Sequence, residues 1–203
     1  MEIVAIVPLD KRRSRVLTDE ELTFVLYRGE LRKYEVEEGG QLPSSVYDQI
    51  LREVLFKRAK ERCLYLLKAR DRTEQEIRKR LAEGCYPEEA IEHTVAFLKE
   101  YRFVDDENYG RNYIRVHGGR KSRRQLEFEL QNKGLDREKI GLLLEEGEVD
   151  EKEPIRRYLK KKGYVKEATT PKERARLAAS LARKGFSFDE IYQVMGEEQS
   201  GGD

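Results

Sequence analysis

Apolar residues recur along this chain with helical spacing in three similar sets. In each set the second residue lies four positions after the first, and the third lies ten positions after the second. The sets are Ile77, Leu81 and Ile91; Leu126, Leu130 and Ile140; and Leu177, Leu181 and Ile191. A spacing of four places side chains on one helix face, and a repeat of about fifty residues is typical of stacked supersecondary units. The pattern therefore predicts tandem helical repeats.

A capping-box sequence precedes each set, and a turn lies between the second and third residues of the set. In such a box a Ser or Thr oxygen accepts from a backbone amide, while a Glu or Gln three residues later reaches back to the N-cap amide. The boxes are Thr73 with Glu76, Ser122 with Gln125, and Thr170 with Glu173; the turns are Glu83-Gly84-Cys85, Lys133-Gly134-Leu135 and Lys184-Gly185-Phe186. Because capping and apolar spacing rest on different chemistry, the two signals support the repeat independently. A fourth box, Ser187 with Glu190, precedes the last predicted helix.

The first part of the chain lacks this repeat and predicts a small α+β extension. Residues 3–7 are an apolar run of strand length, and residues 15–17 and 22–26 flank an acidic turn as in a hairpin. A short helix at residues 30–34 and a long helix from Ser45 follow.

We therefore predict a mainly α chain whose repeats offer an elongated binding surface and no single catalytic pocket. The predicted parts are an N-terminal α+β extension at 1–55, three-helix repeats at 56–104, 105–149 and 150–198, and a disordered tail at 199–203.

Charge is balanced overall but segregated along the chain. The 203 residues carry 41 Lys and Arg against 40 Asp and Glu, and have no Trp. Two stretches, 110–126 and 154–166, each contain six Lys or Arg and no acid. Such stretches are often solvated helix faces, but two of them in one chain favour a polyanionic partner.

Several classes of function find no support in the sequence. No apolar run is long enough to cross a membrane, and the N-terminus lacks a signal sequence, so we expect a cytoplasmic protein. The residues Cys63, Cys85, His93 and His117 have no short ligand spacing, which argues against a metal site. With neither a nucleophile triad nor a phosphate-binding glycine loop, we expect no enzymatic activity and no cofactor.

Three motifs then resemble those of the RecX family. They are the R-x-R-[ST]-x-x-E pattern within residues 69–77, the Asp-Asp opening of the second repeat within 103–109, and the L-x-x-K-G turn within 130–135. The segment from Tyr27 to Gly39 also resembles the β-containing extension of longer members, so the resemblance covers essentially the whole chain. Glu83-Gly84-Cys85 and Gly110 depart from the usual residues of the family.

The resemblance implies tandem three-helix units in a curved, elongated molecule without enzymatic activity. It implies binding in the groove of the RecA–DNA filament and restraint of RecA ATP hydrolysis, strand exchange and LexA cleavage during DNA repair, recombination and the SOS response. We expect RecA as partner, weaker binding to single- and double-stranded DNA, no membrane contact, and a monomer.

The candidate contact residues for RecA or DNA are basic and lie at helix ends. Cations beside a helix N-terminus add to its preference for anions, which favours the block around Ser122. Arg72 could instead pair with Asp71 or Glu76, and the lysines at 160–162 could merely complement a helix dipole. The candidates are Arg70, Arg72, Arg111, Arg115, Arg120, Lys121, Arg123, Arg124, Lys160, Lys161 and Lys162.

Two other interpretations stay open from the sequence. A stand-alone helix-turn-helix protein would use the turn at residues 133–135 and the helix after it. That helix, at residues 139–146, is acidic and apolar, whereas a recognition helix needs Arg, Asn or Gln on its face. The other alternative is a general helical scaffold for an unrelated protein.

Overall fold

The computed structural model describes residues 1–196, so the predicted tail at 199–203 lies outside the described residues. The described chain is mainly helical, with a three-stranded antiparallel sheet near the N-terminus, which confirms the predicted fold class. The chain divides into two compact units, Met1–Asp105 and a second that begins at Asp106.

The N-terminal sheet has strand order β1-β2-β3, comprising β1 (Ile3–Pro8), β2 (Arg13–Thr18) and β3 (Thr23–Tyr27). The β2–β3 pair is the predicted hairpin, with Val16 opposite Phe24. Alternation buries Val16, Phe24 and Leu26 on one face, where they pack with Tyr47 and Ile50 of the following helix. The opposite face of the sheet carries Arg15 and Val25.

The helices of the first unit begin with α1 just after the sheet. The next two helices and the π-helical segment between them are continuous, so the long predicted helix is present from Ser44 onward. The elements are α1 (Arg28–Lys33), α2 (Ser44–Ile50), a π-helical segment (Leu51–Leu55), α3 (Phe56–Ala69), α4 (Glu74–Ala82) and α5 (Glu88–Glu100).

Two apolar clusters stabilise this unit. One joins the sheet to α2 and the π-helical segment, and it also includes Ala90 from α5. The other lies among α3, α4 and α5 and contains Ile77, Leu81 and Ile91 of the first set, together with Cys63. Ala90 belongs to the predicted first repeat, yet it packs in the apolar cluster of the N-terminal extension. The predicted boundary at residue 55 stays a prediction.

Between residues 106 and 196 the second unit has six helices, each with its apolar residues facing one of two clusters. They are α6 (Asp106–His117), α7 (Arg123–Asn132), α8 (Arg137–Glu146), α9 (Lys152–Lys161), α10 (Pro171–Ala182) and α11 (Phe188–Gly196). Helices α6–α8 enclose Leu126, Leu130 and Ile140, and α9–α11 enclose Leu181 and Ile191.

The third copy differs from the other two in its core. Ile77 and Leu126 are fully buried, whereas their counterpart Leu177 is only half-buried and the smaller Ala178 is buried beside it. The third core therefore holds less side-chain volume at this level than the first two.

The turn after the second helix of the first repeat lies one residue later than the sequence pattern predicts. Gly134 and Gly185 have φ of 90° and 91°, and both lie four residues after the second apolar residue of their set. The residue at that position in the first repeat is Cys85, with φ of 55°, and Gly84 precedes it. Cys85 therefore adopts the left-handed conformation that a glycine adopts at the equivalent position of the other two repeats.

Candidate partner-binding surfaces

The predicted capping boxes form at Thr73, Thr170 and Ser187, but only half of the box forms at Ser122. Ser122 Oγ accepts from Gln125 N at 3.2 Å, as expected for an N-cap. The Gln125 side chain does not return to the N-cap amide; it donates to Glu129 Oε1 at 3.1 Å. The start of α7 thus has a different set of partners from the starts of α4 and α10.

Those partners come from the third repeat. Buried Ser122 donates its hydroxyl hydrogen to the Lys184 carbonyl at 2.7 Å, and Arg123 N donates to Glu151 Oε1 at 2.9 Å. A Cβ on Gly185 would lie 2.7 Å from Ser122 Oγ and 3.3 Å from Arg124 Cβ. The turn after α10 therefore packs directly on the N-terminus of α7, and only glycine fits at its closest point.

Half of the basic block in the second repeat is paired with acids. Arg111 Nε lies 3.0 Å from Glu146 Oε1 across α6 and α8, and Arg123 Nε lies 3.5 Å from Glu127 Oε1. Lys121 binds Glu129, and Lys121 Nζ also donates to the Tyr113 hydroxyl at 3.1 Å. A stretch that is acid-free in sequence is therefore not acid-free in space.

The Lys121–Glu129 contact holds both groups in their charged forms. Burial alone would lower the pKa of Lys121, but its hydrogen bonds to Glu129 and Tyr113 outweigh that and raise the pKa. Burial would raise the pKa of Glu129, and the hydrogen bonds from Lys121, Tyr113 and Gln125 instead lower it. Lys121 is thus committed to an internal ion pair, which makes it a poor candidate for partner contact.

The remaining cations of this block project into solvent. Arg120 and Arg124 are exposed and form no ion pair with any residue in the described range 1–196. Arg115 is exposed as well, and its Nη2 donates to Asn112 Oδ1 at 3.3 Å. Arg120 and Arg124 are therefore the two members of the block best able to contact an external anion.

The other predicted cations fall into two groups. Arg70, not Arg72, approaches Glu76, with Nη2 3.7 Å from Oε1, while Arg72 Nε is buried without a hydrogen-bond partner among the described residues. The suggested pairing of Arg72 with Glu76 is therefore wrong. Lys160, Lys161 and Lys162 are exposed at the end of α9, as expected for cations that complement a helix dipole.

The third repeat also contains a cavity that the sequence did not predict. It has a volume of about 650 Å³ and lies between α9 and α10. Arg176, Ser180 and Arg183 line it from α10 at a spacing that places them on one helix face. Lys184 Nζ lies 5.9 Å from the ring centroid of Tyr158, another lining residue. Half-buried Leu177 also lines this cavity, so the cavity lies at the position where Ala178 is buried in place of the larger apolar residue of the other repeats.

The cations Arg176 and Arg183 were missed because six uncharged residues, 177–182, separate them in the sequence. The spacing of 176, 180 and 183 on one helix face was the available signal. Glu173 also lines the cavity, but its carboxylate accepts from Thr170 N at 3.1 Å and from Thr170 Oγ1 at 2.7 Å. Those bonds lower the pKa of Glu173 and direct it to the helix cap.

No group of three or more His, Cys, Asp or Glu side chains within residues 1–196 could hold a metal ion. No helix in the same range is long and apolar enough to cross a membrane. Cys63 is buried, and burial raises its pKa to about 11, so its thiol is protonated at neutral pH.

Comparison with known proteins gives one consistent result. The family models described as "RecX, first three-helix domain" and "RecX, third three-helix domain" match residues 59–98 and 155–195. A regulatory protein RecX from Caldanaerobacter subterraneus subsp. tengcongensis is 30% identical over 163 residues, covering 79% of this chain and 80% of the relative. The regulatory protein RecX of Clostridioides difficile is 24% identical over 202 residues, covering 96% of this chain and 95% of that protein.

A solved structure supports the same fold. A crystal structure of regulatory protein RecX superposes with a TM-score of 0.64 at 24% identity, covering 97% of this chain and 99% of the other. The fold of this chain, with its three-helix repeats and N-terminal sheet, matches that structure, and the sequence relatives carry the same family name. This chain belongs to the RecX family of regulatory proteins.

Proposed function

We propose that this protein is a non-enzymatic regulator of RecA, which binds the groove of the RecA–DNA filament and inhibits RecA ATP hydrolysis, strand exchange and coprotease activity. Membership of the RecX family supports RecA as the partner. In this proposal the protein acts as a monomer in the cytoplasm, and it binds single- or double-stranded DNA alone more weakly than the filament.

The observation that carries the proposal for the contact surface is the junction between the second and third repeats. Exposed Arg124 lies against Gly185, next to Lys184, so cations of both repeats are neighbours there. Arg120 lies just before the α7 N-cap, and the helix N-terminus adds its own positive end. A surface of this charge suits a filament that contains DNA phosphates. Two adjoining repeats that contact neighbouring subunits would also add avidity.

Hydrolysis of ATP by RecA on single-stranded DNA tests the regulatory role. Addition of the protein at near-stoichiometric amounts should slow hydrolysis, and Arg120→Ala with Arg124→Ala should require more protein for the same inhibition. A matched control removes two exposed charges from the first unit, Arg28→Ala with Arg52→Ala, and should inhibit like the unmodified protein. Unchanged hydrolysis with saturating protein would refute the proposal.

Equilibrium binding to RecA, to DNA and to the assembled filament separates a filament regulator from a DNA-binding protein. The filament should bind most tightly. If Arg120 and Arg124 contact phosphates, each lost contact should reduce the salt-dependence slope of binding by about 1. An unaltered slope in the double variant would remove these two residues from the phosphate contacts.

The helix-turn-helix alternative gains nothing from the structure of α8. This helix would be the recognition helix, and its solvent-exposed residues include Leu142 at 67% exposure, Glu145 and Glu146. Carboxylates repel phosphates, so this surface disfavours insertion into a DNA groove.

A further inference from the structure

A second basic cleft lies in the first unit, between the N-terminal extension and the first repeat. Its volume is about 620 Å³. One wall is the outer face of the sheet, and the other walls are α3 and the turn after α4. The residues that line it include Arg15, Tyr27, Arg58, Arg62, Tyr65 and Cys85.

The sheet wall presents an arginine in its centre. Arg15 lies on the middle strand between Val7 of β1 and Val25 of β3, so no acidic residue is its cross-strand neighbour. Arg15 Nε is buried and has no hydrogen-bond partner among residues 1–196. A buried guanidinium nitrogen without a partner is costly, and a bound anion would satisfy it.

The helix wall presents a second available arginine. Arg58, Arg62 and Tyr65 follow one another at helical spacing along α3 and share one face. Arg58 is committed, because it donates to the Val25 carbonyl at 3.2 Å and forms an ion pair with Glu30. Arg62 forms no ion pair within the described range. Two guanidiniums from different elements therefore face one cleft.

The acids of this cleft do not neutralise both arginines. Glu83 lines it, but Glu83 Oε2 lies 3.0 Å from Arg80 Nη1. Glu61 also lines it and is exposed next to Arg62 in the sequence. Arg13 is a further lining cation, paired with Asp10 at 2.7 Å. The side chains that line the cleft therefore have a net positive charge.

Aromatic side chains at the rim distinguish between possible anionic ligands. Tyr65 is 75% exposed, so its ring is accessible to a planar group, whereas the Arg58 guanidinium already lies 4.5 Å from the centroid of the Tyr27 ring. Bases of single-stranded nucleic acids stack on such rings while arginines bind the phosphates. An acidic peptide could instead extend the sheet along β3, but the Arg58 side chain already occupies the Val25 carbonyl on that strand.

We propose that this cleft binds a short segment of single-stranded nucleic acid, with Arg15 and Arg62 on phosphates and Tyr65 against a base. The site gives the N-terminal extension a direct part in ligand binding, and it acts without RecA. It is separate from the surface at Arg120 and Arg124, so each can fail without the other.

Cys85 provides a local probe, because it lines the cleft and is partly exposed, whereas Cys63 is buried. Alkylation of Cys85 is measured by mass spectrometry with and without an oligothymidylate of roughly ten nucleotides, a length within the range bound by small single-strand modules. With the oligonucleotide at about ten times its Kd, alkylation should slow about tenfold. The free protein is used throughout, without RecA.

Three variants locate the ligand. Arg15→Gln and Arg62→Gln should each weaken protection of Cys85 by about tenfold in Kd, the effect expected for one charge-assisted phosphate contact. Tyr65→Ala should weaken it too, and because this side chain is largely exposed the substitution leaves the fold intact. The matched pair Arg28→Gln with Arg52→Gln, two exposed arginines of the same unit outside the cleft, should leave protection unchanged.

Four results would overturn the proposal. They are no protection of Cys85 at saturating oligonucleotide, protection in the Arg62→Gln and Tyr65→Ala variants equal to that in the unmodified protein, loss of protection in the Arg28 and Arg52 pair, and protection by an oligoglutamate peptide alone. Inhibition of RecA ATP hydrolysis, measured on the same variants, reports separately on the proposed regulatory role.

Discussion

Replacement of Gly185 by alanine tests whether the turn after α10 joins the third repeat to the second. The substitution has two separate costs. Gly185 has φ of 91°, a left-handed conformation that costs an alanine about 1–2 kcal/mol. The new Cβ would also lie 2.7 Å from Ser122 Oγ, so either the turn or the α7 N-cap must move.

The second cost is the one of interest. Movement breaks the 2.7 Å bond from Ser122 to the Lys184 carbonyl, and overpacking plus one lost hydrogen bond should add about 1–3 kcal/mol. Gly163 supplies the matched control, because it has φ of 67° and its added Cβ would meet no atom within 4 Å. Gly163→Ala should therefore show the backbone cost alone.

Urea unfolding followed by circular dichroism measures both variants, and hydrogen exchange of peptides from α7 localises the effect. Gly185→Ala should destabilise more than Gly163→Ala, with faster exchange at the start of α7. A Ser122→Ala background removes the 2.7 Å contact and leaves only the 3.3 Å contact with Arg124 Cβ, so the cost of Gly185→Ala should fall toward that of Gly163→Ala. Equal costs for the two glycine variants in the unmodified protein would refute the reasoning.

Three more substitutions test local features. Cys85→Gly should stabilise the protein by about 1 kcal/mol, since glycine relieves the left-handed backbone, and a lower urea midpoint would contradict this. Gly110→Ala should destabilise by about 1–3 kcal/mol in the same assay, because its Cβ would lie 2.6 Å from Leu143 Cδ1, and an unchanged midpoint would contradict it. Burial raises the pKa of Glu151, so the stability of the folded protein falls as pH rises from the unfolded pKa to the folded one. Glu151→Gln should flatten that pH dependence in urea unfolding, and an identical pH profile would contradict the assignment.

The helices could be predicted from the sequence because each repeat carries its own local signals. The cap at Thr73 and the apolar spacing of Ile77 and Leu81 predicted a helix after Thr73, and α4 begins at Glu74. The turn of the first repeat was aligned one residue early, because a glycine at 84 suggested the left-handed position that Cys85 in fact adopts. Composition alone cannot reveal that a non-glycine residue occupies such a position. The predicted domain boundaries and the RecA and DNA contacts stay predictions.

The contact surface was harder to predict because ion pairs form between residues far apart in sequence. Arg111 belongs to an acid-free stretch, yet its partner Glu146 lies on another helix. In α10 the reverse holds, because Arg176 and Arg183 are seven residues apart in the sequence but line the same cavity. Runs of basic residues in the sequence therefore overestimate the number of available cations on α6 and underestimate it on α10.

Because ion pairing differs between the three similar repeats, they need not bind a partner in the same way. Their helices are set by buried residues, which the repeats share, whereas their surfaces depend on which cations find internal partners. At the N-terminus of α4, Arg70 approaches Glu76, while at the N-terminus of α7, Arg124 stays unpaired in the described structure and lies beside Gly185. The repeat preserves the fold, and the differences in pairing decide where a polyanion can bind. Contact at the junction of the second and third repeats consequently needs both repeats in place, so a substitution at Gly185 should weaken filament binding without removing any cation.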